Sequence, residues 1–540
     1  MRHIVLSSLL VAVSLGVFTG CGPSAPPPVP PPAAPTPLTP DTVLRVHWVG
    51  KKRLGIAASA YSLMRLWDAP QTKPLERQLL AQLATAPWRL TGLEANAVTS
   101  STLSPLLDDV VREESFLEVR AAANGPAAVV FALRLNDAGA ERWRVNGPVV
   151  LQSLTGVYPS SRAGGWTLVN PRSPVRWEFS RVGQWVVIGA GPERNVAFAE
   201  TVSRIQRDGF PFAATPADHW LAADVDLRWL AAQLETPAAT ANLPRVSFVV
   251  TGDGEKALTT GEAVFAQPHG LELEPWRIPA DKLGTNCVGF TAVRGVRPWI
   301  TGTAPWQAGA LAQPPNQFFT WADRHAPMQM HLLAPDAGAK AFGDSLGTLL
   351  ATAGNAWIKT SGGGNFARVP EVNGVVWEQL PIITPYLRVS GTGDQTLVSG
   401  GLIPQPVPAT NAVADIYPRP SLTELIADLN SRSNVVAYSW ETTGERIEAW
   451  LFVTQVLRVA TRHAQMPADT ASSQWLQTSR PRLGNALTVV TAPAPDRLAF
   501  TRESTVGFTA LELHLLANWM ESPQFPRGTH AGLTPNAPAP

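Results

Sequence analysis

Gly343-Asp344-Ser345-Leu346-Gly347 satisfies G-x-S-x-G, the spacing that in many hydrolases sets a serine on a sharp turn between a strand and a helix. Acyl transfer from Ser345 would require a strand directly before it, a histidine to take its proton and a carboxylate to orient that histidine. The surrounding DAGAKAFGDSLGTLLATAG reads differently. Phe342, Leu346, Leu349, Leu350 and Ala353 recur on one helical face, so the pattern predicts one turn of an amphipathic helix at Ser345.

The pentapeptide also resembles the signature of the GDSL esterases and lipases. That resemblance implies a Ser345 nucleophile after the first strand of a flavodoxin-like domain, with Asp and His supplied by a D-x-x-H motif near the C-terminus. No D-x-x-H occurs in the chain, and His463, His514 and His530 follow Ser345 without an acidic residue at matching spacing. A serine hydrolase at Ser345 is therefore the disfavoured alternative, and no catalytic residue is assigned.

Gly189-Ala190-Gly191 leads from a strand toward a helix as a dinucleotide-binding turn would, but Arg194 stands where a third glycine is needed for close helix packing. An antiparallel hairpin followed by a helix start at Pro192 is the expectation. Asp224 and Asp226 read as helix-capping residues, and Asp108, Asp109, Glu113 and Glu114 as a solvated helical face. His47, His219, His269, His325 and His331 lack metal-ligand spacing, so neither a metal nor a cofactor is expected. Trp is abundant, at 19 residues, and its neighbours Leu and Val mark most copies as core.

The elements that must position these residues belong to an apolar-rich folded chain of 540 residues with net charge +1. No field of one sign exists to attract nucleic acid, and the basic run Lys51, Lys52 and Arg53 reads as a solvated strand end.

At the N-terminus Arg2 and His3 precede an apolar run from Ile4 to Val17, too short to span a membrane but suited to a signal peptide. Phe18-Thr19-Gly20-Cys21 then resembles a bacterial lipobox, with Phe18 where Leu is commonest. The resemblance implies cleavage before Cys21, acylation of that residue, and a membrane partner held through its acyl chains. Gly22 in second position, where Asp is absent, implies an outer-membrane destination facing the periplasm. With Cys21 acylated only Cys287 remains, so no intrachain disulfide is expected and Cys287 reads as a small buried residue.

Residues 1–20 thus read as a signal peptide, and 21–40 as a lipidated Cys with a tether of which about half is proline. Such a tether extends roughly 3.1 Å per residue, about 60 Å in all. The body is α+β, with mainly antiparallel, curved sheets packed by helices, in two diverged halves, 41–302 and 318–522, about a seam at 303–317. A loose tail follows at 523–540.

Four strand-to-helix units begin at LRVHWVG, HWLAADVD, MQMHLLAP and NVVAYSWE. Four hairpins accompany them, at VRWEFSRVGQWVVIGAG, RVSFVVTGDGEKALTTGEAVFA, YLRVSGTGDQTLVSGGL and ALTVVTAPAPDRLAFTRES. The recurrence of Val288-Gly289-Phe290-Thr291-Ala292 at Val506 to Ala510 marks corresponding points of the halves. The body resembles large exported bacterial proteins of unknown function through YSWETTGERIEAW and PPNQFFTW, a resemblance that implies no activity. The expectation is a non-enzymatic, lipid-anchored envelope protein that binds or scaffolds another envelope protein or the cell wall; the alternative is a carrier or sensor of a hydrophobic ligand.

Overall fold

A computed structural model describes residues 39, 41–94, 97–122, 125–212, 218–233, 242–278, 287–301, 315–323, 330–335, 348, 350–356, 364–369, 374–379, 384–392, 395–401, 420–460, 470–522 and 525–526. Cys21 and the signal-like segment, Ser345 and the first part of its expected helix, and most of the 303–317 stretch lie outside the described residues; the end of that expected helix, Leu350–Gly354, forms a π-helical turn. The fold is α+β with antiparallel strand pairing, and the described chain divides between Gln267 and Pro268 into two compact units, with Ser522, Phe525 and Pro526 returning to the first. The division falls earlier than the seam expected at 303–317, because the strand Cys287–Arg294 pairs within the second unit.

The first unit contains β1 (Thr42–Trp48), β2 (Ser115–Arg120), β3 (Ala128–Arg134), β4 (Ser160–Arg162), β5 (Gly165–Val169), β6 (Arg176–Val182), β7 (Trp185–Gly191), β8 (Leu221–Asp226), β9 (Arg245–Gly252) and β10 (Ala257–Val264). They pair in the order β10-β9-β8-β1-β2-β3-β7-β6-β5-β4, antiparallel throughout.

The second unit contains β11 (Cys287–Arg294), β12 (Gln317–Asp323), β13 (Met330–Pro335), β14 (Asn365–Val369), β15 (Gly374–Glu378), β16 (Tyr386–Thr392), β17 (Gln395–Gly401), β18 (Val435–Thr442), β19 (Asn485–Ala494) and β20 (Arg497–Ser504). Their order is β20-β19-β18-β11-β12-β13-β17-β16-β15-β14, the same plan strand for strand. All four expected hairpins are present, as β6–β7, β9–β10, β16–β17 and β19–β20.

The correspondence extends to register. It sets Leu44 against Gly289 and Val225 against Glu441, and each central strand carries its irregularity at the same point, between Thr42 and Leu44 in β1 and between Cys287 and Gly289 in β11. A bulge bends a strand at a fixed place, so its recurrence marks one architecture used twice. The repeated pentapeptide, by contrast, does not mark it. Val288 to Ala292 lies in β11, whereas Gly507, at φ +82°, sits in a turn and Thr509 caps the helix Ala510–Met520. Identical residues took different structures because their partners differ.

Helices cover both faces of each sheet. In the first unit Phe198 and Ile205 of the helix Val196–Asp208 pack on Phe116, Val130, Ala132 and Val187. The opposite face receives Leu106 of the helix Ala97–Arg112 and Trp143 of the helix Asp137–Thr155. Asn136 and Asn195 cap their helices through side-chain oxygens, supplying acceptors for N–H groups that the first turn leaves unpaired. In the second unit Leu422, Leu425 and Leu429 of the helix Leu422–Ser431 pack on Phe290, Phe319, Trp321, Tyr438 and Trp440. Burying each large side chain contributes roughly 1.5–3 kcal/mol. Among the described residues no helix is long and apolar enough to cross a membrane.

Candidate functional site

Corresponding rows of the two sheets carry opposite chemistry. Across the first sheet Ser247, Asp224, Arg45 and Glu118 lie side by side, and the matching row of the second is Leu487, Trp440, Phe290 and Trp321. The neighbouring row points to the other face. There the first sheet has Phe248, Ala223, Val46 and Leu117, and the second has Thr488, Ser439, Thr291 and Thr320. Because side chains alternate across a strand, each unit has one polar central face, and the two units polarise opposite faces.

On the polar face of the first unit Glu118 is wholly buried and accepts hydrogen bonds from Arg45 Nε at 3.1 Å and Arg120 Nε at 2.7 Å. Arg120 continues to Glu200 of the covering helix at 2.7 Å, and Asp224 accepts from Arg245 Nε at 2.7 Å. Arg204, on the same helix, is held below its ordinary pKa by burial, opposed by the charge of Glu118. The ion-paired members of this lattice balance one another, which suits a structural role, and Arg204 stands beside them as one cation in excess.

Two residues further along β1, His47 Nδ1 and His219 Nε2 share a 2.6 Å hydrogen bond, and His47 Nε2 lies 3.1 Å from Glu114 Oε1. Arg134 Nη1 donates to Glu114 Oε2 at 3.3 Å, and the Phe212 ring lies 4.0 Å from the His47 ring. Burial pushes His47 below the ordinary imidazole pKa, and its bond to Glu114 only partly offsets this. Burial also raises the Glu114 carboxyl, but hydrogen bonds and charge from His47 and Arg134 outweigh it and keep the pKa low.

The other polar face lies in the second unit at the junction of β18 with the helix Thr443–Ala460. Gly289 of β11 leaves space that the Arg446 stem fills, since a Cβ at Gly289 would meet Arg446 Cδ and Nε at 3.3 Å. Glu441, opposite Gly289, accepts from the Ala510 N–H at 2.6 Å and from Thr443 Oγ1 at 3.2 Å, both on Oε1. Burial raises its pKa, with partial opposition from the Ala510 N–H and Arg446. Arg446 is lowered by burial and stacks over Trp450, its Cζ 5.5 Å from the ring centroid. Gly444 lets the helix begin against the Arg480 carbonyl, where a Cβ would collide.

The residues singled out from sequence fall into place unevenly. Asp226 caps a helix by accepting from the Trp229 N–H at 3.0 Å, as expected, but Asp224 is an ion-pair partner instead. The acidic group at 108–114 is not one solvated face. Asp109 is buried, accepting from Arg142 and from Trp143 Nε1 at 3.0 Å, and Glu114 serves His47. Cys287 is buried and donates to the Gly289 carbonyl at 3.0 Å. Gly189 to Gly191 end β7 of the β6–β7 hairpin, with Asn195 capping the next helix.

His269 Nε2 donates to the Ala494 carbonyl at 3.1 Å; His325 and the His331 side chain lie outside the described structure. Among the tryptophans, Trp88, Trp220, Trp321 and Trp440 are buried, Trp48, Trp177 and Trp276 are partly exposed, and Trp299 is exposed. Among the described residues no group of three or more His, Cys, Asp or Glu side chains could hold a metal ion.

Sequence reasoning missed the His47–His219 contact and the Glu441–Arg446 junction. The second had a signal in WETTGERIEAW, where Glu441 and Arg446 flank a strand-to-helix break between Trp440 and Trp450. The first had none, because the partners are distant in sequence. No protein-family model, curated protein or solved structure matches this chain.

Proposed function

We propose that the chain is a non-enzymatic protein of the bacterial cell envelope, anchored by acyl chains on Cys21 and using its two-unit body to bind or scaffold. The observation that carries this reading is the sequence Phe18-Thr19-Gly20-Cys21 directly before a proline-rich tether: a site for acylation joined to a segment that can stand a folded body away from a lipid surface. What supports a binding role over a catalytic one is that the carboxylates of the first unit's central face are held in ion pairs. The outer membrane, periplasmic side, is the destination that Gly22 favours.

The test is expression in a bacterial host with labelled palmitate. The chain incorporates label and partitions with membranes, whereas Cys21→Ser abolishes labelling; labelling that persists in Cys21→Ser refutes the anchor.

A further inference from the structure

The polar junction of the second unit contains donors without acceptors. Among the described residues no hydrogen bond or ion pair reaches the Arg446 guanidinium, although Arg446 is only partly exposed. Four residues on, one helical turn away, Trp450 presents a buried Nε1–H with no acceptor. Glu441 faces the same space, and both hydrogen bonds it accepts end on Oε1. A buried donor is normally paired, so the orphaned Trp450 N–H beside a guanidinium that no carboxylate pairs specifies its complement: an acceptor carrying negative charge.

We propose that Arg446, Trp450 and Glu441 line a recess that binds the carboxylate group of a small organic acid. A guanidinium offers two parallel N–H groups that match the two oxygens of a carboxylate, and the indole N–H adds a third donor. The charge balance selects among anions. With Arg502 spent on Glu512, Arg446 neutralises a monoanion when Glu441 keeps its proton, but leaves a dianion such as sulfate in excess. Burial favours the protonated form of Glu441, which then donates rather than repels. Glu441 and Arg446 each keep part of their surface exposed, so solvent reaches this junction, and the Arg446 stem lies across Gly289 beside it.

The inference deepens the binding reading and is independent of the anchor: a chain that binds acids but is not acylated at Cys21 would refute the anchor alone. The test is calorimetric titration of the full chain in detergent, at mildly acidic pH, with propionate and separately with sulfate, which stays a dianion at that pH. Propionate binds saturably, sulfate does not, and Arg446→Met weakens propionate roughly tenfold or more, the loss of one charge-assisted contact. In the unaltered protein, propionate also shifts the Trp450 indole N–H resonance, assigned through Trp450→Phe. Absence of saturable propionate binding, equal binding of sulfate, undiminished binding in a folded Arg446→Met chain, or an unmoved Trp450 resonance would each overturn the proposal.

Discussion

Gly289 occupies in the second sheet the position that Leu44 occupies in the first, and the side chain that it lacks is replaced by the stem of Arg446. The same lattice point is thus filled by an aliphatic side chain in one unit and by a charged residue reaching from a helix in the other. Gly289→Leu, which restores the residue of the first unit, forces Arg446 aside and destabilises the second unit by about 1–3 kcal/mol. Leu44→Ala opens a cavity in a fully packed face and costs about 2–5 kcal/mol. Urea unfolding of the two variants measures both.

Glu118 anchors two arginines in a place from which water is excluded. Its truncation in Glu118→Ala leaves Arg45 and Arg120 partly unpaired and destabilises the protein by about 3–5 kcal/mol. Asp208→Ala, which breaks only the exposed pair with Arg207, leaves stability essentially unchanged. Equal effects in thermal unfolding would contradict the distinction between a buried lattice and a surface pair.

Acid should weaken the first unit through His47. Its folded pKa lies below the unfolded value, so below about pH 6.5 the unfolded chain takes up more protons. Stability is then fully present above that pH and falls as pH drops, with a slope of at most about 1.4 kcal/mol per pH unit from this group. Glu114, also lowered, adds loss in the same direction at more acid pH. In His47→Gln the decline between neutral and mildly acidic pH flattens; an unchanged profile measured by urea midpoints excludes His47 as its source.

What could be read from the sequence was what is local. Turn residues such as Gly252-Asp253-Gly254 and the shift from alternation to helical period in HWLAADVDLRWLAAQL fixed hairpins and junctions correctly, since neighbouring residues decide them. Pairing across the sheet is decided by residues far apart. His47 and His219 meet because β1 and β8 are neighbours, and no local pattern announces that. The repeated pentapeptide misled for the same reason, while the matching bulges of β1 and β11 have no sequence identity to reveal them. The faces were hidden too: Arg45 and Phe290 hold one position, so composition alone could not align the halves.

Ser345 is expected to be dispensable for any ester turnover. Purified chain hydrolyses p-nitrophenyl butyrate no faster than buffer, and Ser345→Ala leaves that rate unchanged. Saturable hydrolysis that disappears in Ser345→Ala would reinstate the hydrolase reading.

The most direct test of the proposed function is the mass of the mature N-terminal peptide from chain expressed in a bacterial host. Acylation predicts a peptide that begins at Cys21 and carries diacylglycerol, with or without a further amide-linked acyl chain. An unmodified Cys21, or a mature chain that begins elsewhere, would contradict it.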